Sequence, residues 1–209
     1  MKVVSFDVEG TLVDHRFSAL VWEEAIPRLY AQKEDIDLES GKRYVLEEYA
    51  KVGERRLEWY DIRYWLQKFG LREDWRKLLE SYKREVNVYP EVPTVLERLK
   101  DRYVLIVVSN SAREFVNIQM KELRGFFKNI FSATTDFRML KNTTNLYEVI
   151  CNRMRIEPNQ LAHVGDTWEF DYVVPRKLGV LAYLLDRAGS VSGKFIVKDL
   201  ESFCNRIGG

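Results

Sequence analysis

Cysteine is nearly missing from this chain. Two residues, Cys151 and Cys204, cannot build a disulfide framework, and they lack the paired spacing of a zinc site. The expectation is two reduced thiols in a cytoplasmic protein. Long apolar runs are missing as well: none approaches the roughly 20 residues needed to cross a bilayer. Only four residues separate Met1–Lys2 from the charged Asp7, too few for the apolar segment of a secretory leader. Charge of one sign is also absent. With 33 Lys and Arg against 32 Asp and Glu, the net charge is +1, so neither nucleic acid nor a membrane surface is an expected partner. There is no internal repeat and no low-complexity tract. What is present is apolar material: hydrophobic residues make up 46% of the chain, enough to bury a core and to exclude a disordered segment.

That apolar material is organised. Val3–Phe6, Val104–Val108, Leu161–Val164 and Val180–Leu185 are short runs rich in β-formers, the pattern of strands buried on both faces. Helical spacing separates them over 90–100, 112–123 and 145–154, and less regularly over 171–178, where Pro175 intervenes and Gly179 suits a stop. Strands alternating with helices predict an α/β fold around a mostly parallel, Rossmann-like sheet.

Residues 15–88 differ. They hold no buried strand and read as four helices near 17–33, 38–52, 54–69 and 73–85. Trp22, Trp59, Trp65 and Trp75 all fall here, large rings suited to the core of a small helical unit. The expected domains are an α/β core of 1–14 and 89–209 with an inserted helical cap of 15–88. An inserted lid on such a sheet belongs at the carboxyl ends of the strands, where these folds bind ligands.

The apolar runs lead into polar groups at comparable places. Asp7-Val8-Glu9-Gly10-Thr11 follows the first, Ser109-Asn110 the second, and Gly165-Asp166 the third, with Asp171 shortly after; Lys141 stands in a loop before a helix. In a parallel sheet these groups share one edge. Clustered carboxylates repel one another unless a cation neutralises them, and an oxygen-rich set suits Mg²⁺ together with a phosphate. One carboxylate can act as nucleophile and form an aspartyl-phosphate, and a second can serve as acid and base. A hydroxyl and a Lys stabilise the charge of a transferring phosphoryl group.

These motifs, in this order and across essentially the whole chain, resemble those of the haloacid dehalogenase (HAD) superfamily. Its first motif, DxDGT[LV], is matched by Asp7-Val8-Glu9-Gly10-Thr11-Leu12; its second by Ser109; its third by Lys141; and its fourth, GDxxxxD, by Gly165-Asp166 through Asp171. The resemblance implies a Mg²⁺-dependent phosphatase acting on a small phosphorylated metabolite, with a small helical cap. It implies that Asp7 is nucleophile and metal ligand. Glu9 would be acid/base, with its carbonyl on the metal. Ser109, Asn110 and Lys141 would hold phosphate, Asp166 would bind the metal, and Thr11 and Asp171 would support the site. Trp168 either packs over the fourth-motif loop or touches the leaving group. His163, inside an apolar strand, reads as a hydrogen-bonded core residue, and His15 as a hinge or surface residue.

The departure is Glu9, where most phosphatases of the family have Asp. Enolase-phosphatases carry a similar D-x-E-G-T, although Ser109-Asn110-Ser111 looks like the generic second motif. The 2-haloacid dehalogenases carry Tyr at that position and need no Mg²⁺. A weakly active binding protein on the same scaffold is the non-enzymatic alternative.

Overall fold

The computed structural model describes residues 1–208. They divide into two compact units, Met1–Asp14 with the segment from Val88 onward, and His15–Asn87. The first holds a six-stranded sheet, β1 Val3–Phe6, β2 Val104–Ser109, β3 Asn129–Ser132, β4 Leu161–Gly165, β5 Leu181–Leu185 and β6 Ile196–Val197. The spatial order is β3-β2-β1-β4-β5-β6, and every pairing is parallel. The fold is therefore the expected α/β architecture, and β1 lies between β2 and β4.

The helices of this unit are α6 Val92–Lys100, α7 Arg113–Gln119, α8 Thr144–Met154, α9 Val174–Lys177 and α10 Leu200–Gly208; α1–α5 belong to the other unit. On one sheet face Val3, Ile106, Val108 and Leu161 pack with Leu146, Tyr147 and Ile150 of α8. On the other, Phe6 meets Phe203 of α10 edge-on at 5.9 Å and Phe127 at 6.0 Å. Full burial of each such side chain contributes roughly 1.5–3 kcal/mol.

Two strands and one helix were not anticipated from the sequence. β3 and β6 are short edge strands without an apolar run, and they exist because a neighbour supplies a register, Ile106 to Asn129 and Leu184 to Ile196. α10 closes the described chain. The irregular segment near Pro175 resolves into a wide π-helical turn, Trp168–Val173, followed by α9. Pro175 sits in the first turn of α9, where its missing N–H costs little, and Gly179 with φ 93° ends the run.

The second unit comprises α1 Arg16–Ala19, α2 Ile26–Glu34, α3 Leu38–Val52, α4 Ile62–Lys68 and α5 Trp75–Tyr82. α1 runs through a π-helical turn, Leu20–Ala25, into α2, whose first turn contains Pro27; a wide turn relieves the clash that proline makes with the preceding carbonyls. The helix expected over 54–69 begins only at Ile62. Asp61 caps it by accepting from Arg63 N–H at 2.9 Å, and Gly53, with φ 74°, has already ended α3. A close approach of α2 and α3 depends on Gly41, where a Cβ would stand 2.7 Å from that of Ala31. The rings form the core: Tyr49 meets Trp65 at 4.5 Å, and Trp65 stacks on Phe69 at 5.6 Å. Among the described residues no helix is long and apolar enough to cross a membrane.

Candidate active site

Phe6 of β1 is in register with Val107 of β2 and Val164 of β4, which sets Asp7 at the carboxyl edge between its two neighbours. Its N–H continues the ladder to Val164 O at 3.0 Å. The chain then turns sharply. Leu12 and Val13 N–H both return to Val8 O, at 2.8 and 3.1 Å, and Gly10 takes φ 70°, a conformation cheap only for glycine. Arg187 holds this loop from outside: its guanidinium donates to Gly10 O at 3.1 Å and Thr11 O at 2.9 Å. It lies 3.5 Å over the Tyr89 ring and pairs with Glu91 at 2.8 Å. Thr11 is fully buried, and its hydroxyl has no hydrogen-bond partner among the described residues.

Lys141 is buried, and its three protons are all spent. The ammonium donates to Asp7 Oδ1, to Asp171 Oδ1 at 2.6 Å and to Val108 O at 3.3 Å. Its own N–H is fixed by Asn110 Oδ1 at 2.9 Å, so the Asn110 side chain anchors the lysine backbone. Asp171 is the hub. It accepts from Lys141, from Thr167 N–H at 3.0 Å, and from His163 Nε2 at 2.9 Å, while His163 Nδ1 lies 2.6 Å from Ser5 Oγ. A carboxylate only accepts, so Nε2 carries the ring proton and Nδ1 accepts from the Ser5 hydroxyl.

Electrostatics follow from burial and partners. Burial pushes the Asp171 carboxyl up, but Lys141 and the His163 hydrogen bond outweigh it and hold it well below the usual carboxylate range. Burial pulls Lys141 down, yet Asp171 and Asp7 hold it charged, well above the ordinary lysine value. Burial pulls His163 down and prevails over Asp171, leaving a neutral imidazole. Asp7 is pushed well up, by burial first and by Asp171 and Asp166, against the pull of Lys141. Two carboxylates share one ammonium, which donates to both.

Glu9 accepts from two groups, one of them, Gln119, outside every motif. Gln119 Nε2, at the end of α7, donates to Glu9 Oε1 at 2.6 Å, and Ser111 Oγ donates to the same oxygen at 3.4 Å. Ser111 is itself held, its N–H on Ser109 Oγ at 3.2 Å and its carbonyl on Ser132 Oγ at 2.8 Å. Ser109 is buried at the end of β2, and accepting from Ser111 leaves its hydroxyl proton for another acceptor.

Asp166 stands half-buried at the end of β4. One carboxylate oxygen from each of Asp7, Asp166 and Asp171 lies within 4.8 Å of the others, an acidic set able to hold a metal ion. The donors are all hard oxygens, and the raised Asp7 carboxyl marks a negative charge that its protein neighbours do not fully balance, so the residues fit a hard divalent cation. Asp171 already serves Lys141, His163 and Thr167, which leaves Asp7 and Asp166 as the pair best disposed toward such an ion.

Residues 1–179 match the family model described as haloacid dehalogenase-like hydrolase. The chain belongs to that family. It is similar to (S)-2-haloacid dehalogenase 4A of Burkholderia cepacia, with 26% identity over 185 residues, 81% of this chain and 77% of that one. In fold it resembles an HAD phosphatase from Thermococcus onnurineus, with TM-score 0.89 at 22% identity over 100% of this chain and 99% of the other. It also resembles the putative HAD-hydrolase YfnB of Bacillus subtilis, a structure bound to magnesium, with TM-score 0.70 at 19% identity over 100% of this chain and 99% of the other.

Of the residues this HAD-like hydrolase was expected to use, the structure brings Asp7, Lys141, Asp166 and Asp171 together, and it links Ser109 and Glu9 to each other through Ser111. Trp168 stands apart from that hydrogen-bonded set. It is 55% exposed, and its ring rests against Tyr172 at 4.9 Å. Sequence reasoning missed Arg187 and Gln119. Each is a single residue with no motif around it; the one available signal for Gln119 was an amide on the apolar side of a helix, next to Phe115 and Val116.

Proposed function

We propose that this HAD-family hydrolase is a Mg²⁺-dependent phosphomonoesterase for a small phosphorylated metabolite. The observation that carries the reading is Asp7: a buried carboxylate at a central strand end, gripped by Lys141, beside Asp166 and two residues from a second carboxyl. Bound between Asp7 and Asp166, Mg²⁺ would supply charge neutralisation for the phosphoryl oxygens.

The remaining chemistry belongs to the chain. Asp7 attacks phosphorus in line, the P–O bond to the leaving group breaks, and Glu9 gives its proton to the departing oxygen. An aspartyl-phosphate results. Glu9, now ionised, takes a proton from water; the water oxygen attacks phosphorus, the bond to Asp7 breaks, and phosphate leaves. Lys141 holds Asp7 in position and contributes its positive charge beside the phosphoryl group, the Ser109 hydroxyl donates to a phosphoryl oxygen, and Asn110 supports the phosphate site by fixing the lysine backbone. Substrate selection is assigned to the helical unit His15–Asn87.

A phosphate-release screen over sugar phosphates, phosphoglycolate, nucleotides and pyrophosphate tests this. Release is expected only with Mg²⁺, and EDTA or Asp166→Ala is expected to abolish it. The dehalogenase reading draws support from the 26% identity to the Burkholderia enzyme. Halide release from a 2-haloacid without metal, with no phosphate released from any ester, would establish it instead.

A further inference from the structure

We propose that Gln119 is the positioning residue that adapts this site to a glutamate at position 9. The inference rests on the phosphomonoesterase reading, in which Glu9 transfers the proton. A glutamate extends one methylene beyond an aspartate, about 1.5 Å and one more rotatable bond. Left loose, the carboxyl would sample positions away from the leaving oxygen, and proton transfer requires heavy atoms within about 2.6–3.2 Å.

Gln119 supplies the restraint. Its Nε2 donates to Glu9 Oε1 at 2.6 Å, and its side chain is 1% exposed. A buried N–H donor is costly unless it is hydrogen-bonded, and here the Nε2 bond reaches a carboxylate, the stronger kind of acceptor. The holder is anchored in its turn. α7 begins with Arg113 N–H on Thr135 Oγ1 at 3.0 Å, the Arg113 guanidinium pairs with Asp136, and Phe115 and Val116 are buried. Ser111 Oγ reaches the same Glu9 oxygen from the loop before α7. Two donors on Oε1 orient the carboxyl and dispose Oε2 to carry the proton. An aspartate here would fall short of Gln119 by that same methylene, so Glu9 and Gln119 form a matched pair.

Gln119→Met keeps the length and removes the donor. With Mg²⁺, it is expected to lower kcat for an alkyl phosphate on the order of 10- to 100-fold with KM within about twofold. The loss for 2,4-dinitrophenyl phosphate, whose leaving group needs no proton, is expected to be only a few-fold. Once Glu9 is aspartate, adding Gln119→Met should cost nothing further. In the metal-free protein, the Gln119 side-chain amide cross-peak, identified by its loss in Gln119→Met, should move in Glu9→Ala. Equal losses on both substrates, additive losses in the double variant, or a cross-peak that stays in place would overturn the proposal. A wild type inert toward every phosphate ester would instead remove the phosphomonoesterase reading and the proposal with it, while a moved cross-peak would then leave only the contact.

Discussion

A β-carbon on residue 165 would stand 2.3 Å from Cγ of Asp171 and 2.6 Å from its Oδ2. Gly165 therefore admits the Asp171 side chain against the end of β4, where it meets Lys141, His163 and Thr167. No shift of a flexible tip relieves this contact, because Asp171 Cβ is itself only 2.7 Å away. Gly165→Ala is expected to displace Asp171, destabilise the fold by about 1–3 kcal/mol and cost most of the hydrolytic activity. Urea unfolding beside phosphate release checks both halves; an unchanged unfolding midpoint would refute the packing argument.

Lys141 neutralises buried acid, so its removal leaves Asp171 without its cation. Lys141→Met is expected to destabilise by about 3–5 kcal/mol and to lower kcat on the order of 10²-fold or more. Restoring stability by a second substitution, Asp171→Asn, without restoring turnover would separate the two roles. Unfolding by denaturant and steady-state kinetics on the single and double variants give the answer.

The stability contributed by a neutral His163 should fall on the acid side of neutrality. His163 is neutral in the fold because burial holds it below its ordinary value of 6.5, whereas the unfolded chain titrates near that value. As pH drops below about 6.5 the unfolded state binds the extra proton first, so stability complete above that range is lost progressively beneath it. Asp171, held low in the fold, adds a loss of the same sign in a more acidic window, beginning near its ordinary value of 3.8. Asp7, held high in the fold, works in the opposite direction, so the His163 share is isolated by comparison: in thermal melting between pH 6.5 and 5, Tm is expected to fall more steeply, or rise less, in wild type than in His163→Gln.

Tyr49 in the helical unit keeps a buried hydroxyl with no hydrogen-bond partner among the described residues, and its ring packs on Trp65 at 4.5 Å. Burial, with Glu23 adding, pushes its ionisation far above the ordinary tyrosine range, so the group stays neutral. Tyr49→Phe removes an unsatisfied polar atom and keeps the ring. The expected outcome is a fold as stable as wild type or up to about 1 kcal/mol more stable, and a clear drop in Tm would show that the hydroxyl is satisfied.

Much of the sheet was legible because a parallel strand buried on both faces must be a nearly pure apolar run. Such runs stand out where Asp7, Ser109 and Asp166 interrupt them. The edge strands β3 and β6 were not, since Asn129–Ser132 and Ile196–Val197 draw their extended shape from a neighbour's hydrogen bonds and not from composition. The late start of α4 was missed because Asp61 looks like any surface acid until its side chain is seen to cap Arg63 and Tyr64.

The site divides along the same line. The local sequence determined that carboxylates end two strands, that Glu9 follows Asp7 by two residues, and that Gly10 permits the turn between them and the rest of the chain; these depend on neighbours a few bonds apart. Tertiary structure decided which acids the lysine serves. Lys141 serves Asp7 and Asp171 together because β1, β4, the turn after β4 and the loop before α8 bring the two acids, His163 and the lysine into one buried space where each charge must be matched. It also decided that Gln119 reaches Glu9 and that Arg187 holds the turn after Asp7, contacts between residues far apart in sequence that only the packed chain brings within hydrogen-bond distance.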